Sequence, residues 1–170
     1  MAKGIRFFIL LLAIALSGCS KPPEPPQLLQ SFSSEIAFTA QELTGTASLV
    51  KTSENALTLK LQTPETLRGY QLCLQDGEIT LSFGDVSSVL TGGLPDGALI
   101  TVLADVLSAQ GEAVQSVFRD PDWEFTGTLP KAAGAYLLTV SDAGVPQELL
   151  AEHAEISVTF LQTEPMEAPA

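Results

Sequence analysis

Basic residues are scarce in this chain. Eight Lys and Arg stand against 20 Asp and Glu, with a single His, for a formal net charge of −12. Lys3 and Arg6 account for two of the eight and no acidic residue precedes Glu24, so from residue 19 onward six basic residues face 20 acidic ones, a net of −14. Such a chain lacks the cations that displace counterions from nucleic acid, and it has no polybasic run to hold anionic lipid headgroups. The acidic residues are dispersed and read as a solubilising surface. Cysteine occurs twice, at Cys19 and Cys73, too few for a disulfide framework. Cys73 alternates with leucines in Leu72-Cys73-Leu74 and reads as a half-buried packing residue.

Catalytic signals are missing as well. His153, in Ala151-Glu152-His153-Ala154-Glu155, has no second His or Cys near it to complete a metal site and reads as part of a turn. No Gly-x-Ser-x-Gly elbow exists, Gly92-Gly93 has no following Lys, and Asp120-Pro121-Asp122 lacks the ligand spacing of a calcium loop. No catalytic residue, metal or cofactor is expected, and the chain reads as a non-enzyme. Trp123, Phe125 and Tyr136 sit at alternating positions of strand-like segments, where aromatic side chains belong to a core.

No apolar run is long enough for a membrane-spanning helix, which needs ~20 residues. Residues 7–16 form an unbroken apolar run of ten, preceded by Lys3 and Arg6 and followed by Leu16-Ser17-Gly18-Cys19. A positive start, a short apolar stretch and small residues make a signal peptide over residues 1–18. The last four residues resemble the lipobox of bacterial lipoproteins: aliphatic Leu16, small Ser17 and Gly18, then Cys19. The resemblance implies cleavage before Cys19 and a diacylglycerol thioether on its sulfur. Two or more acyl chains anchor stably, since each buried CH₂ adds ~0.8 kcal/mol and one chain is marginal. The expected location is extracytoplasmic, on the cell membrane, or on the outer membrane where the cell has one, because Ser20 is not the Asp of inner-membrane retention. Four prolines within Pro22-Pro23-Glu24-Pro25-Pro26 suit an extended spacer, so residues 19–31 read as lipidated cysteine and tether.

From residue 32 the apolar period is two. Leu43, Gly45, Ala47 and Leu49 share one face, and Leu57, Leu59 and Leu61 another strand's face across Ser53-Glu54-Asn55. Residues 63–69 read as a short helical turn, capped by Thr63 and ended by Gly69. Tyr70, Leu72 and Leu74 turn through Asp76-Gly77 into Ile79, Leu81 and Phe83. Leu99, Val102, Leu103, Val106 and Leu107 then follow helical spacing, predicting one amphipathic helix that ends near Gly111. Strands resume at Trp123, Phe125 and Leu129, at Tyr136, Leu138 and Val140, over 145–151, and at Ile156, Val158 and Phe160, before a loose tail over 163–170. The expected domain spans 32–162. Its class is α+β and mostly antiparallel: a curved sheet or half-barrel of about nine strands with one main helix on the concave face.

The two hairpins with the turn at 63–69 between them, the Asp76-Gly77 turn and the strand order over 136–160, read with the lipobox, resemble the LolA/LolB superfamily of bacterial lipoprotein carriers. RseB-type stress sensors and mycobacterial lipid-binding lipoproteins are its relatives, and small lipoproteins of Clostridia-type bacteria are the nearest in kind. The resemblance implies an apolar cavity that holds acyl chains, lined by Leu59, Leu72, Leu81, Phe83, Leu99, Leu103 and Val106. The partners it implies are the membrane, through the lipid, and a lipid or other apolar ligand. LolB-type proteins carry an exposed apolar loop, for which Gly92-Gly93-Leu94-Pro95 is the nearest counterpart. The alternative is a structural or protein-interaction envelope lipoprotein with a packed core and no ligand.

Overall fold

The computed structural model describes residues 24–92, 94–95, 97–108, 114–130 and 134–166. The lipobox lies outside them. The alternating segments become strands β1 (Phe32–Ala40), β2 (Leu43–Ser53), β3 (Ala56–Thr63), β4 (Tyr70–Gln75), β5 (Glu78–Phe83) and β6 (Val86–Val89). After the helix α1 (Leu99–Ser108) come β7 (Gln115–Arg119), β8 (Asp122–Thr128), β9 (Ala135–Val140), β10 (Pro146–Ala151) and β11 (Ile156–Pro165).

All the strands belong to one open sheet in the order β6-β5-β4-β3-β2-β1-β11-β10-β9-β8-β7. Every pairing is antiparallel. Each strand therefore pairs with its neighbours in sequence except at two places. The first and last strands meet in the middle, and the two edge strands, β6 and β7, are joined through α1. That segment packs on β3 and β4 on its way between the edges.

Burial follows the period-two pattern. Phe32, Ile36 and Phe38 of β1, Ala47 and Leu49 of β2, Leu57 and Leu59 of β3, Leu138 and Val140 of β9, and Val158 and Phe160 of β11 face one interior. Ile100, Val102, Leu103, Val106 and Leu107 of α1 complete the same core. At ~1.5–3 kcal/mol for each fully buried aliphatic or aromatic side chain, this cluster is the main stabilising contribution to the fold.

The structure corrects the expectations in four places. The sheet has eleven strands, not nine; β7 carries no signal, because Val117 and Phe118 are adjacent and both exposed, so no alternation marks it. The turn after β3 is a 3₁₀ turn over Glu65–Leu67 whose N-cap is Pro64, while Thr63 remains in β3 with its hydroxyl 2.9 Å from that of Thr46. The buried stripe of α1 begins at Ile100, and Leu99 is half-buried. β11 runs to Pro165, pairing Glu164 with Ser33 and Pro165 with Phe32, so residues 163–165 are strand and not loose tail.

Candidate functional site

The inner face of the sheet is not uniformly covered. On β4 and β5 the register pairs Tyr70 with Phe83, Leu72 with Leu81 and Leu74 with Ile79, so these six side chains share the inner face. Leu72 also pairs with Leu59 of β3, and Phe83 with Val86 of β6. α1 closes over the β3 side of this surface: Leu57 and Leu59 are buried with Leu103, Val106 and Leu107. Toward β6 the cover runs out. Leu72 and Leu81 are half-buried, while Phe83 is 51% exposed and Val86 72% exposed. The rings of Tyr70 and Phe83 stack with centroids 4.7 Å apart, which holds Phe83 against the sheet although half its surface meets solvent.

The seven residues expected to line one cavity are therefore separated. Leu59, Leu103 and Val106 are sealed inside the core. Leu72, Leu81 and Phe83 line the margin where the core opens, and Leu99, at the start of α1, is half-buried against the core. Val86 joins that margin; its sequence context suggests a short strand and no role, since a four-residue segment has too few alternations to reveal its inner side. Of the loop expected as a counterpart of the LolB apolar loop, Leu94 packs partly buried against the core, and Gly93 lies outside the described residues.

The outer face of the same three strands is polar. Gln71, Cys73 and Gln75 of β4, Glu78, Thr80 and Ser82 of β5, and Ser87 of β6 line an open hollow of about 560 Å³. The Thr58 hydroxyl lies 3.7 Å from the Cys73 sulfur, so the thiol is a half-buried member of this face. A second hollow, of about 220 Å³, lies over β1, β2 and β11 and is lined by Ser33, Ser34, Glu35, Ser48, Gln162 and Glu164.

The other residues weighed for chemistry have structural surroundings. Trp123 is buried and donates its indole N–H to Asp142 Oδ1 at 3.0 Å. Asp122 accepts from Gln147 Nε2 at 2.8 Å. His153 is exposed on a 3₁₀ turn, Glu152–Ala154, whose Ala154 is buried and which Glu155 closes at φ 54°. Among the described residues no group of three or more His, Cys, Asp or Glu side chains could hold a metal ion, and no helix is long and apolar enough to cross a membrane.

One basic group escapes a reading by sequence. Lys51 continues the inward phase of Ala47 and Leu49, and it is only 2% exposed. Its amine donates to the Gln30 carbonyl oxygen at 2.9 Å, and burial pulls its pKa below the usual lysine value, against the opposing pull of Glu54.

Solved structures resemble this fold. An uncharacterized conserved protein from Thermus thermophilus is 12% identical, with 82% of this chain and 80% of that one covered and a TM-score of 0.49. A LolA superfamily protein from Nitrosomonas europaea is 9% identical over 85% of this chain and 89% of its own, with a TM-score of 0.41. The structure of the CwlD amidase from Clostridioides difficile in complex with the GerS lipoprotein gives 17% identity, coverage of 82% and 84%, and a TM-score of 0.41. The neighbours thus include the superfamily whose pattern the sequence resembles, and the likeness concerns the fold alone. No protein-family model and no curated protein matches the chain.

Proposed function

We propose that this protein is a lipid-anchored extracytoplasmic protein that takes up an acyl chain or similar apolar ligand at the open margin of its inner face, without catalysing a reaction. The observation that carries this reading is the uncovered corner formed by Tyr70, Leu72, Leu81, Phe83 and Val86, continuous with the core yet open to solvent. An exposed apolar patch beside a packed core marks a binding surface. Cys19 is the proposed lipid attachment site, and Leu16, Ser17 and Gly18 the peptidase recognition residues. The sealed stripe of α1 supports a modest rearrangement: the ligand rests on the margin, and the helix need not swing open. The same sealed stripe also supports a second reading, an interaction lipoprotein whose corner receives a protein.

Binding of a fluorescent fatty acid to the purified domain tests the choice. The wild type is expected to bind at micromolar concentrations and Phe83→Ser to lose at least ~10-fold in affinity, about 1.4 kcal/mol. Phe83 is half exposed but stacks on Tyr70, so its replacement is expected to lower stability by about 1–2 kcal/mol and leave the domain folded, which circular dichroism checks. No binding by the wild type favours the interaction reading. For the anchor, Cys19→Ala is expected to remain unprocessed and unlabelled by a fatty-acid probe in cells; labelling equal to that of the wild type removes it.

A further inference from the structure

The junction between tether and domain is held by a set of contacts that point one way. Leu28 is buried in the core. The Leu29 N–H donates to the Gly144 carbonyl oxygen at 3.1 Å. The Gln27 carbonyl oxygen presses so close to Gly144 that any Cβ there would collide with it. Lys51 holds the Gln30 carbonyl, and Ser31 exchanges two bonds with Met166: its hydroxyl donates to the Met166 oxygen at 2.6 Å, and its own oxygen accepts the Met166 N–H at 3.1 Å. Residues 28–31 are thus a strap fastened to β2, β11 and the β9–β10 turn, all at one end of the sheet.

Antiparallel pairing assigns every turn to one of two rims. The strap rim carries the turns β2–β3, β4–β5, β7–β8 and β9–β10 and the end of β11. Its exposed carboxylates include Glu54, Asp76, Glu78, Asp120, Asp142 and Glu164, and the opposite rim is acidic as well, with Glu42, Glu65, Asp85, Glu152 and Glu155 exposed. Of the strap rim's two basic residues, Lys51 is buried and Arg119 pairs with Glu124 at 3.2 Å. The opposite rim carries the β5–β6 turn at Gly84 and Asp85, and with it the Phe83–Val86 pair. Six-residue strands separate the two rims by ~20 Å.

We propose that the strap fixes the domain upright, with its strap rim toward an anionic membrane and its apolar corner turned away. This rests on the anchor and the ligand corner proposed above. The eight residues after Cys19, through Gln27, can span at most ~25 Å, so the strap rim stays within that distance of the lipid, and repulsion between carboxylates and anionic headgroups favours the outer part of that range. The corner then meets its ligand from a facing carrier or surface, not from the membrane that holds the protein.

The test uses the full lipidated chain in vesicles, with Cys73→Ser and a single fluorophore at Ala143→Cys on the strap rim or at Asp85→Cys on the far rim. An acceptor dye is placed on the lipid headgroups. Transfer is expected to be at least ~2-fold greater from position 143. On phosphatidylglycerol vesicles it should fall at position 143 when salt drops from about 0.1 M to about 0.01 M, as the Debye length grows from ~10 to ~30 Å, and stay constant on phosphatidylcholine. Lys51→Met, which frees the Gln30 carbonyl, should narrow the difference between the two positions. Equal transfer from both positions, greater transfer from 85, or salt-independent transfer on anionic vesicles overturns the proposal. A chain that fails to float with either vesicle overturns the anchor and this orientation together, while loss of fatty-acid binding alone removes only the ligand.

Discussion

Two residues on the strap side show how single positions fasten residues 28–31 to the sheet. Lys51 is held in the interior with its pKa lowered by desolvation. The folded state therefore binds fewer protons at this amine than the unfolded chain does, between its lowered value and the usual 10.5. Stability gains from this group as pH rises through that window and is reduced below it. Tyr136 works the other way, because burial raises its pKa above 10.0, so stability falls once the unfolded phenol ionises first. Urea unfolding between pH 8 and 10 should show a rising contribution that Lys51→Met removes, and a wild type whose slope matches the variant's would contradict the burial of this amine. Gly144 makes a second case. It has φ 77°, and Gly77 has φ 83° with nothing near it. Gly77→Ala is expected to lose ~1–2 kcal/mol from backbone strain alone, and Gly144→Ala ~1–3 kcal/mol more, because its methyl meets the Gln27 carbonyl. Equal losses would mean that the strap is not seated on that turn. Neither role is legible in the sequence. Lys51 reads as a surface cation on composition alone, and only its phase with Ala47 and Leu49 hints otherwise.

Among the elements, those with strong alternation are legible and those without it are not. Leu57, Leu59 and Leu61 declare β3, and Asp76-Gly77 at φ 49° and 83° makes the tight turn that this pair favours. β7 is invisible, since an edge strand whose apolar residues are adjacent has no inward phase to detect. α1 is legible as a helix, but its face is displaced slightly: Leu99 fits the spacing, yet Ile100 is the residue that goes inside. The candidate site suffers the same limit. Spacing identifies which side chains share the inner face, but not where a ten-residue helix stops covering a six-strand wing. The packing of α1 predicts unequal costs along it. Leu103→Ala, at a fully buried position, should lose ~2–5 kcal/mol in chemical unfolding, and Leu99→Ala distinctly less. A loss under ~1 kcal/mol at Leu103 would reveal slack between helix and sheet, with room for a ligand beneath α1.

For the whole molecule, the sequence carries the class and the hairpins but not the closure. That the first and last strands pair depends on contacts across the full chain, which no local pattern encodes. The same seam extends the folded unit at both ends, to Leu28 and to Met166. A fragment of residues 28–166 is therefore expected to melt at a higher temperature than one of residues 28–162. The shorter fragment lacks the pairing of Phe32, Ser33 and Ser34 with residues 163–165 and the Ser31–Met166 exchange. Calorimetry of the two fragments checks this, and identical melting temperatures would show that the β11 extension adds nothing.

The seam also bears on the order of events in time. The strands β1–β6 and β7–β11 are two runs of hairpins, each able to assemble from near neighbours, and the bond between the runs is β1 against β11. A chain that emerges with its amino end first presents β1 long before its partner β11. Until the final segment arrives, β1 keeps one flank of unpaired amides and carbonyls. Completion of the fold is thus tied to the arrival of β11, and the interval before it is when the free flank of β1 is open to pairing with other chains.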